Sequence, residues 1–142
     1  MRLFRLCGIQ AETGKEPEEN IDKFVSLIKK ALVSKPDFIL LPEMFEVVPS
    51  PDDAVKFTHK IPSEITDRFS DLARKYSVNI IGGTFFEKDG DNIYNTSVVF
   101  NRDGKICGKY RKMHLFDAFG YAESSSITKG NKPLLIEIDG LK

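Results

Sequence analysis

Two charged residues, one at the end of a strand-like segment and one within another, are the best candidates for chemistry in this chain. Glu43 follows Pro42 in the segment LLPEMF, and Lys112 lies in the segment KYRKMHL. A carboxylate withdrawn from water holds a proton more readily and works as a general base. A lysine cation in the same pocket would stabilise a developing oxyanion. The residues alone therefore indicate a possible pair of a general base and an electrostatic stabiliser.

Each of these residues also has a simpler interpretation. From its position alone, Glu43 is equally an exposed first residue of a loop or a helix-capping glutamate. Strand alternation places Tyr110, Lys112 and His114 on one face, where basic residues commonly cover a solvated surface or protect a sheet edge. Asn95 could hydrogen-bond a neighbouring loop, although an asparagine near a strand start needs no special role. The residues alone leave these alternatives open.

The remaining reactive residues lack a supporting pattern. Cys7 and Cys107 lie within apolar strand patterns, and we interpret both as inert core thiols. His59 and His114 have no further metal ligand at a useful spacing, which argues against a zinc site. The glycines Gly82–Gly83 lack the spacing of a phosphate-binding loop and fit a bulge or close packing. We therefore expect neither a metal nor a cofactor.

Composition and charge exclude several classes of partner. The 142 residues, of which 41% are hydrophobic, suffice for one globular core. The 21 basic and 21 acidic side chains cancel without a separate basic cluster, so nucleic acid is not expected as a partner. No segment approaches the roughly 18 apolar residues that span a bilayer, and Arg5 interrupts the apolar N-terminal run that a signal peptide needs. Two cysteines outside a CxxC pair fit a reducing compartment, and we expect a cytoplasmic protein.

The first part of the chain has the pattern of a βαβ unit. Residues 2–10 resemble a strand, and residues 16–34 place apolar side chains on one helical face. The apolar run DFILL then predicts a strand that is buried on both faces. A strand, a helix and a strand within about forty residues predict two parallel strands with a right-handed crossover. Their carboxyl ends lie at the edge where such sheets build sites.

The rest of the chain predicts a second helix and an antiparallel meander. After a loop at residues 46–60, Ser63 is the expected N-cap of a helix. VNIIGGTFFE, IYNTSVVFN and ICGKYRKMHL are β-branched and aromatic, and Asp-Gly turns separate them. PLLIEID is expected to form a further strand that ends in a turn at Asp139 and Gly140. The fold class is therefore mixed α/β, in one domain or part of one.

The order of the motifs resembles the N-terminal half of the carbon-nitrogen hydrolase, or nitrilase, superfamily. The resemblance is closest to its ω-amidase-like branch and covers essentially all of the chain. The motifs concerned are CGIQA, LLPEMF, IIGGTFFE, YNTSVVF, KYRKMHLFD and ESSSITKG. The resemblance implies a mixed-sheet αββα sandwich of the nitrilase type that is incomplete in this chain. Residues 1–142 would form the N-terminal part of a single hydrolase domain.

In that family a glutamate, a lysine and a cysteine form the catalytic triad. The resemblance implies that Glu43 is the general base and that Lys112 stabilises the tetrahedral intermediate. Glu123, in AESSSITKG, matches a second glutamate that orients the site. The implied substrate is a small-molecule amide, without a cofactor, a nucleic acid or a membrane as partner, and the implied assembly is a homo-oligomer.

The family's nucleophilic cysteine follows the segment equivalent to PLLIEIDGLK, beyond Lys142. We therefore expect an N-terminal fragment that is inactive by itself, with an exposed apolar sheet face and a tendency to aggregate. The alternative is a noncatalytic binding or regulatory module derived from the same fold, which would be stable and monodisperse. A two-carboxylate hydrolase that uses Glu43 and Glu123 has no supporting motif and leaves Lys112 without a task.

Overall fold

The computed structural model describes residues 3–141, and within this range two helices cover one face of a mixed seven-stranded sheet. The sheet strands are β1 (Leu6–Gly8), β2 (Phe38–Leu40), β3 (Thr58–His59), β4 (Asn79–Ile81), β5 (Phe85–Asp89), β6 (Asn92–Phe100) and β7 (Ile106–Arg111). The helices are α1 (Pro17–Ala31) and α2 (Glu64–Tyr76). A separate hairpin consists of β8 (Asp117–Ala118) and β9 (Tyr121–Ala122).

The predicted βαβ unit is confirmed. Strands β1 and β2 pair in parallel, and β4 continues the parallel arrangement on the far side of β2. Helix α1 begins at a proline, which needs no partner for a backbone N–H in the first turn, and a 3₁₀ turn at Leu32–Ser34 follows it. Its apolar face buries Phe24 and Ile28 completely. The first strand is shorter than expected, since residues 3–5 and 9–10 lie outside it and residue 2 lies outside the described range.

The predicted antiparallel meander is confirmed, with one strand divided in two. Strand β6 pairs with both β4 and β5, and β7 pairs with β6 in antiparallel register. The expected strand VNIIGGTFFE is interrupted because Gly83 adopts φ +40° and packs against the carbonyl oxygen of Pro42. The amide of Thr84 donates to the same oxygen. This interruption places the chain that follows β2 beside the turn between β4 and β5.

Three details of the predicted elements are wrong. Strand β2 is not buried on both faces, because helices cover only one: Ile39 is inaccessible, whereas Leu40 is 38% exposed. The segment 133–139 joins no strand of the sheet and makes one bridge, between Ile138 and Leu141. Residues 46–60 contain a 3₁₀ helix at Pro51–Phe57 and then β3. Helix α2, which follows Ser63, and the turn at residues 139–140 occur as predicted.

The sheet face opposite the helices carries apolar side chains that remain accessible to water. Leu6 is 62% exposed, and an apolar cavity of about 290 Å³ lies beside it. The side chains that line this cavity come from the residues just before β1, from β1, β2, β4 and β6, and from the C-terminal segment: Phe4, Leu6, Phe38, Ile81, Val99, Ile136, Ile138 and Leu141. A contiguous apolar surface of this kind favours association.

We expect the isolated 142-residue chain to self-associate through this apolar face. Light scattering coupled to size exclusion should show assemblies whose fraction grows with concentration. The double variant Leu6→Thr, Leu40→Thr should shift the chain towards monomer, because it makes the exposed face more polar. Val33→Thr is the control, since Val33 is also an exposed apolar residue, at 87% exposure, but lies in the turn after α1. A monodisperse monomer in the wild-type chain would contradict this expectation and favour an independent module.

A buried carboxylate ties β5 to β7 across β6. Glu87 is 1% exposed and accepts hydrogen bonds from Arg111 at 2.7 and 2.8 Å, from Thr96 at 2.8 Å, and from Lys109. Burial alone would raise the pKa of Glu87, but the hydrogen bonds from Arg111, Lys109 and Thr96 outweigh it and lower the pKa to about 2. The carboxylate therefore favours the folded state while it is ionised.

We expect the free energy of unfolding to fall as the pH drops from about 4.5 towards 2, because the unfolded state takes up the proton first. Glu87→Gln should cost about 2 kcal/mol at neutral pH, less than for a fully buried pair because Lys109 and Arg111 keep partial access to water. It should also flatten the acid dependence. Urea unfolding across this range measures both effects, with the exposed Glu12→Gln as control. An unchanged acid dependence in Glu87→Gln would contradict the assignment.

Candidate active site

The predicted site residues lie together beside the carboxyl ends of β2 and β7. Glu43 lies in the turn after β2, Lys112 directly follows β7, and Glu123 begins a 3₁₀ turn after β9. Lys112 is therefore not part of an alternating strand face that runs on to His114, because β7 ends at Arg111. Its backbone is nevertheless fixed on both sides. Its N–H donates to the carbonyl of Asn95, and its carbonyl accepts from the amide of Gly130, both at 2.8 Å.

The ammonium group of Lys112 connects the two predicted glutamates. Its Nζ donates to Oε1 of Glu43 at 3.0 Å and to Oε2 of Glu123 at 2.9 Å. Burial alone would lower the pKa of Lys112, but hydrogen bonds and charge interactions with Glu123 and Glu43 outweigh it and raise the pKa. Lys112 is therefore a cation at neutral pH and is suited to stabilising negative charge rather than to accepting a proton.

The two carboxylates have different environments. Glu123 is 1% exposed, and its Oε2 also accepts from the backbone N–H of Phe116 at 2.8 Å. The β8–β9 hairpin returns the chain so that the N–H of Glu123 meets the carbonyl of Phe116 at 3.1 Å. The side chain of Glu43 is 54% exposed. The expected withdrawal of Glu43 from water is thus wrong for this chain, in which Glu123 is the buried carboxylate.

Asn95 is a further member of the site. It lies inside β6, is 1% exposed, and its Nδ2 donates to Oε1 of Glu43 at 2.9 Å and to Oε1 of Glu123 at 3.1 Å. From the sequence, the only contact expected for Asn95 was a hydrogen bond to a neighbouring loop. The signal that was available is an amide within an apolar strand, since a buried polar side chain requires partners.

The turn that carries Glu43 is fixed by several contacts. The N–H of Met44, whose φ is +49°, donates to Oγ1 of Thr84 at 2.9 Å. The carbonyl of buried Glu46 accepts from Asn20 at 2.8 Å, and its Oε1 lies 2.6 Å from Nε2 of His59. The hydrogen bond with Glu46 raises the pKa of His59. These contacts hold the turn that carries Glu43 against α1 and β3.

Glu43 and Lys112 lie between two cavities. One, of about 260 Å³, is lined by Glu43, Met44, Val48, Lys112, Phe116, Tyr121 and Glu123. The other, of about 330 Å³, is lined by Leu40, Leu41, Glu43, Gly83, Thr84, Ser97, Tyr110 and Lys112. The charged pair is therefore accessible from both sides to molecules of small size.

Neither cysteine lines these cavities. Cys7 is half-buried against the core, as predicted, but Cys107 is exposed on β7, so its interpretation as a core thiol is wrong.

Among residues 3–141, no group of three or more histidine, cysteine or acidic side chains is arranged to hold a metal ion. Over the same range no helix has the length and apolar content needed to cross a bilayer.

The sequence model of the carbon-nitrogen hydrolase family matches residues 5–141. The chain belongs to this family. This carbon-nitrogen hydrolase chain is 33% identical over 136 residues to "Omega-amidase NIT2" of Homo sapiens, covering 92% of the chain and 49% of that protein. It is 35% identical over 140 residues to "Omega-amidase NIT3" of Saccharomyces cerevisiae, covering 88% of the chain and 48% of that protein.

Solved structures agree with the fold of this carbon-nitrogen hydrolase chain. The crystal structure of Saccharomyces cerevisiae Nit3, a member of branch 10 of the nitrilase superfamily, matches with a TM-score of 0.78 and 31% identity, over 96% of the chain and 50% of Nit3. XC1258 from Xanthomonas campestris shares the fold alone, with a TM-score of 0.86 and 24% identity over 99% of the chain and 51% of XC1258. The predicted mixed-sheet α/β fold of the nitrilase type is confirmed. The chain spans about half the length of the curated relatives it matches.

Proposed function

We propose that the protein that contains this chain hydrolyses the carbon-nitrogen bond of small amides, in the manner of an ω-amidase, through a cysteine acyl-enzyme. Glu43 is the general base, Lys112 stabilises the oxyanion and Glu123 orients Lys112. The nucleophilic cysteine belongs to sequence beyond Lys142, so that residues 1–142 are the N-terminal part of one hydrolase domain. The observation that carries the proposal is the Lys112 ammonium bonded to both carboxylates.

Glu43 and Lys112 each have a task in the two halves of the proposed reaction. A thiol with a pKa of about 8.5 needs a base to become a nucleophile at neutral pH, and the accessible carboxylate of Glu43 accepts its proton. Sulfur then bonds to the amide carbon, and the oxyanion develops beside Lys112. The carbon-nitrogen bond breaks, and Glu43 returns the proton to the leaving ammonia or amine. Water, deprotonated by Glu43, then attacks the thioester and releases the carboxylic acid and the thiol.

The relatives and the size of the two cavities support the proposed substrate class. Two relatives that are at least 33% identical are named omega-amidases, and the two cavities beside Lys112 measure about 260 and 330 Å³. A small amide fits such a volume, whereas a folded polypeptide does not. The cytoplasmic location, expected from the cysteine pattern, and the homo-oligomeric assembly, implied by the family resemblance, stay predictions.

The test is ammonia release by the complete gene product from an ω-amide such as α-ketoglutaramate. We expect turnover that iodoacetamide abolishes, and none from residues 1–142 alone. A nitrile and a carbamoyl compound of equal size should be poorer substrates. Absence of thiol-dependent ammonia release from the complete protein would refute the amidase function.

A further inference from the structure

The two carboxylates beside Lys112 differ in which of their oxygens are occupied. Glu123 accepts on both oxygens, from Asn95 on Oε1 and from Lys112 and the amide of Phe116 on Oε2. Glu43 accepts two hydrogen bonds on Oε1, from Lys112 and from Asn95. Within residues 3–141 no hydrogen bond reaches its Oε2. Glu43 therefore has one oxygen that accepts two hydrogen bonds and one oxygen that accepts none within these residues.

The two donors to Oε1 of Glu43 differ in stiffness. Lys112 reaches Glu43 through a long flexible side chain, and a single ammonium group can bind either oxygen of a carboxylate. The terminal torsion of a glutamate is broad, so its carboxylate can rotate over a range of angles while one oxygen stays bonded to the ammonium group. Asn95 instead projects from the long strand β6, and its carbonyl is bonded to the backbone of Lys112. Asn95, as a second and rigid donor, restricts the rotation of the Glu43 carboxylate that Lys112 alone would allow.

The orientation of the Asn95 amide is set by the carboxylates. Its Oδ1 is buried without a hydrogen-bond partner among the described residues, whereas its Nδ2 donates to two carboxylate oxygens. A flipped amide would direct Oδ1 at both anions, which is repulsive. Strand β6 therefore buries an amide whose oxygen lacks a partner among the described residues. Both hydrogen bonds from the nitrogen of this amide are to carboxylates of the site.

We propose that Asn95 is a positioning residue that, together with Lys112, fixes Oε1 of Glu43 and leaves Oε2 as the oxygen that exchanges protons with the nucleophile and with water. The proposal rests on the proposed amidase function. An oxygen that already accepts two hydrogen bonds, one of them from a cation, is a poor proton acceptor. Oε2 accepts neither of these hydrogen bonds, and Asn95 determines where it points.

The kinetic test uses Asn95→Ala and Asn95→Asp in the complete gene product. In Asn95→Ala, kcat should fall roughly 100-fold while KM changes less than about twofold, because the base is misplaced but the substrate cavity is intact. Asn95→Asp adds a third carboxylate beside Glu43 and Glu123. This variant should be inactive at high pH, where the new carboxylate is ionised, and should partly recover at low pH, where its protonated form donates a hydrogen bond again. Asn92→Ala, at the exposed start of the same strand, is the matched control. A wild-type kcat in Asn95→Ala would overturn the proposal.

A second readout does not depend on activity. In protein labelled with ¹⁵N-asparagine, both side-chain amide protons of Asn95 should resonate downfield and exchange slowly, since each donates to a carboxylate. Glu43→Ala should return one of them to an ordinary position, and Glu12→Ala should change neither. If Glu43→Ala leaves both resonances in place, Asn95 does not position Glu43. If the wild-type protein releases no ammonia while the resonances respond as expected, the amidase function fails and the positioning contact stands.

Discussion

Glu43→Gln is expected to lower kcat for amide hydrolysis by the complete protein roughly 1,000-fold. The substitution keeps the size of the side chain. Its carbonyl oxygen would take the place of Oε1 and accept from Lys112 and Asn95. Its NH₂ group would then occupy the position of Oε2, where it has no lone pair to take the proton of the thiol. Binding should persist while proton transfer is lost.

Steady-state ammonia release with a small ω-amide measures this effect, and Glu12→Gln is the matched control at an exposed position. KM should change little, because the cavity lining keeps its shape. Circular dichroism and the unfolding midpoint should match the wild type, since the Glu43 side chain is more than half exposed. A Glu43→Gln variant that keeps kcat within about tenfold of the wild type would exclude Glu43 as the base.

Gly83→Ala is expected to have the largest effect on stability, with a loss of at least about 3 kcal/mol. Gly83 has φ +40°, and a Cβ there would lie 2.1 Å from the carbonyl oxygen of Pro42 and 3.1 Å from the carbonyl carbon of Leu41. Neither backbone atom can move without displacing the turn that carries Glu43. The variant should therefore lose amidase activity as well as stability.

Gly90→Ala separates the cost of the left-handed backbone from the cost of the contact between the added Cβ and Pro42. Gly90 has φ +60°, but no atom lies within 4 Å of its added Cβ, so only the cost of the left-handed backbone remains. We expect about 1 kcal/mol for this variant and no change in kcat. Urea unfolding of both variants gives the comparison. Equal losses at the two positions would show that the contact with Pro42 is not the cause.

The parts of the fold that follow from local patterns were predictable. The apolar stripe of α1 and the Asp-Gly turns between strands act over a few residues, so the sequence indicates them directly. The exposure of Leu40 was not predictable from its run of apolar neighbours. An apolar run predicts burial on both faces, and here the helices cover only one face.

The charged residues of the site could be predicted because they lie in specific motifs. Their partners could not, because these partners are brought close by contacts between residues far apart in the sequence. Glu43 and Lys112 are recognisable because each lies in a characteristic run of neighbours. Asn95 acts only because strand pairing brings it next to both glutamates. The contact between Glu46 and His59 likewise joins a turn to a short strand that the sequence did not indicate. Such contacts have no signature in local spacing.

The most direct test of the account is mass spectrometry of the complete protein, quenched in acid during turnover of a small ω-amide. We expect an added acyl mass on a single cysteine that lies beyond Lys142, and we expect it to be absent in Glu43→Gln. An acyl group on Cys7 or Cys107, or ammonia release that continues after every thiol is blocked, would contradict the proposal that Glu43 and Lys112 serve a cysteine outside these residues.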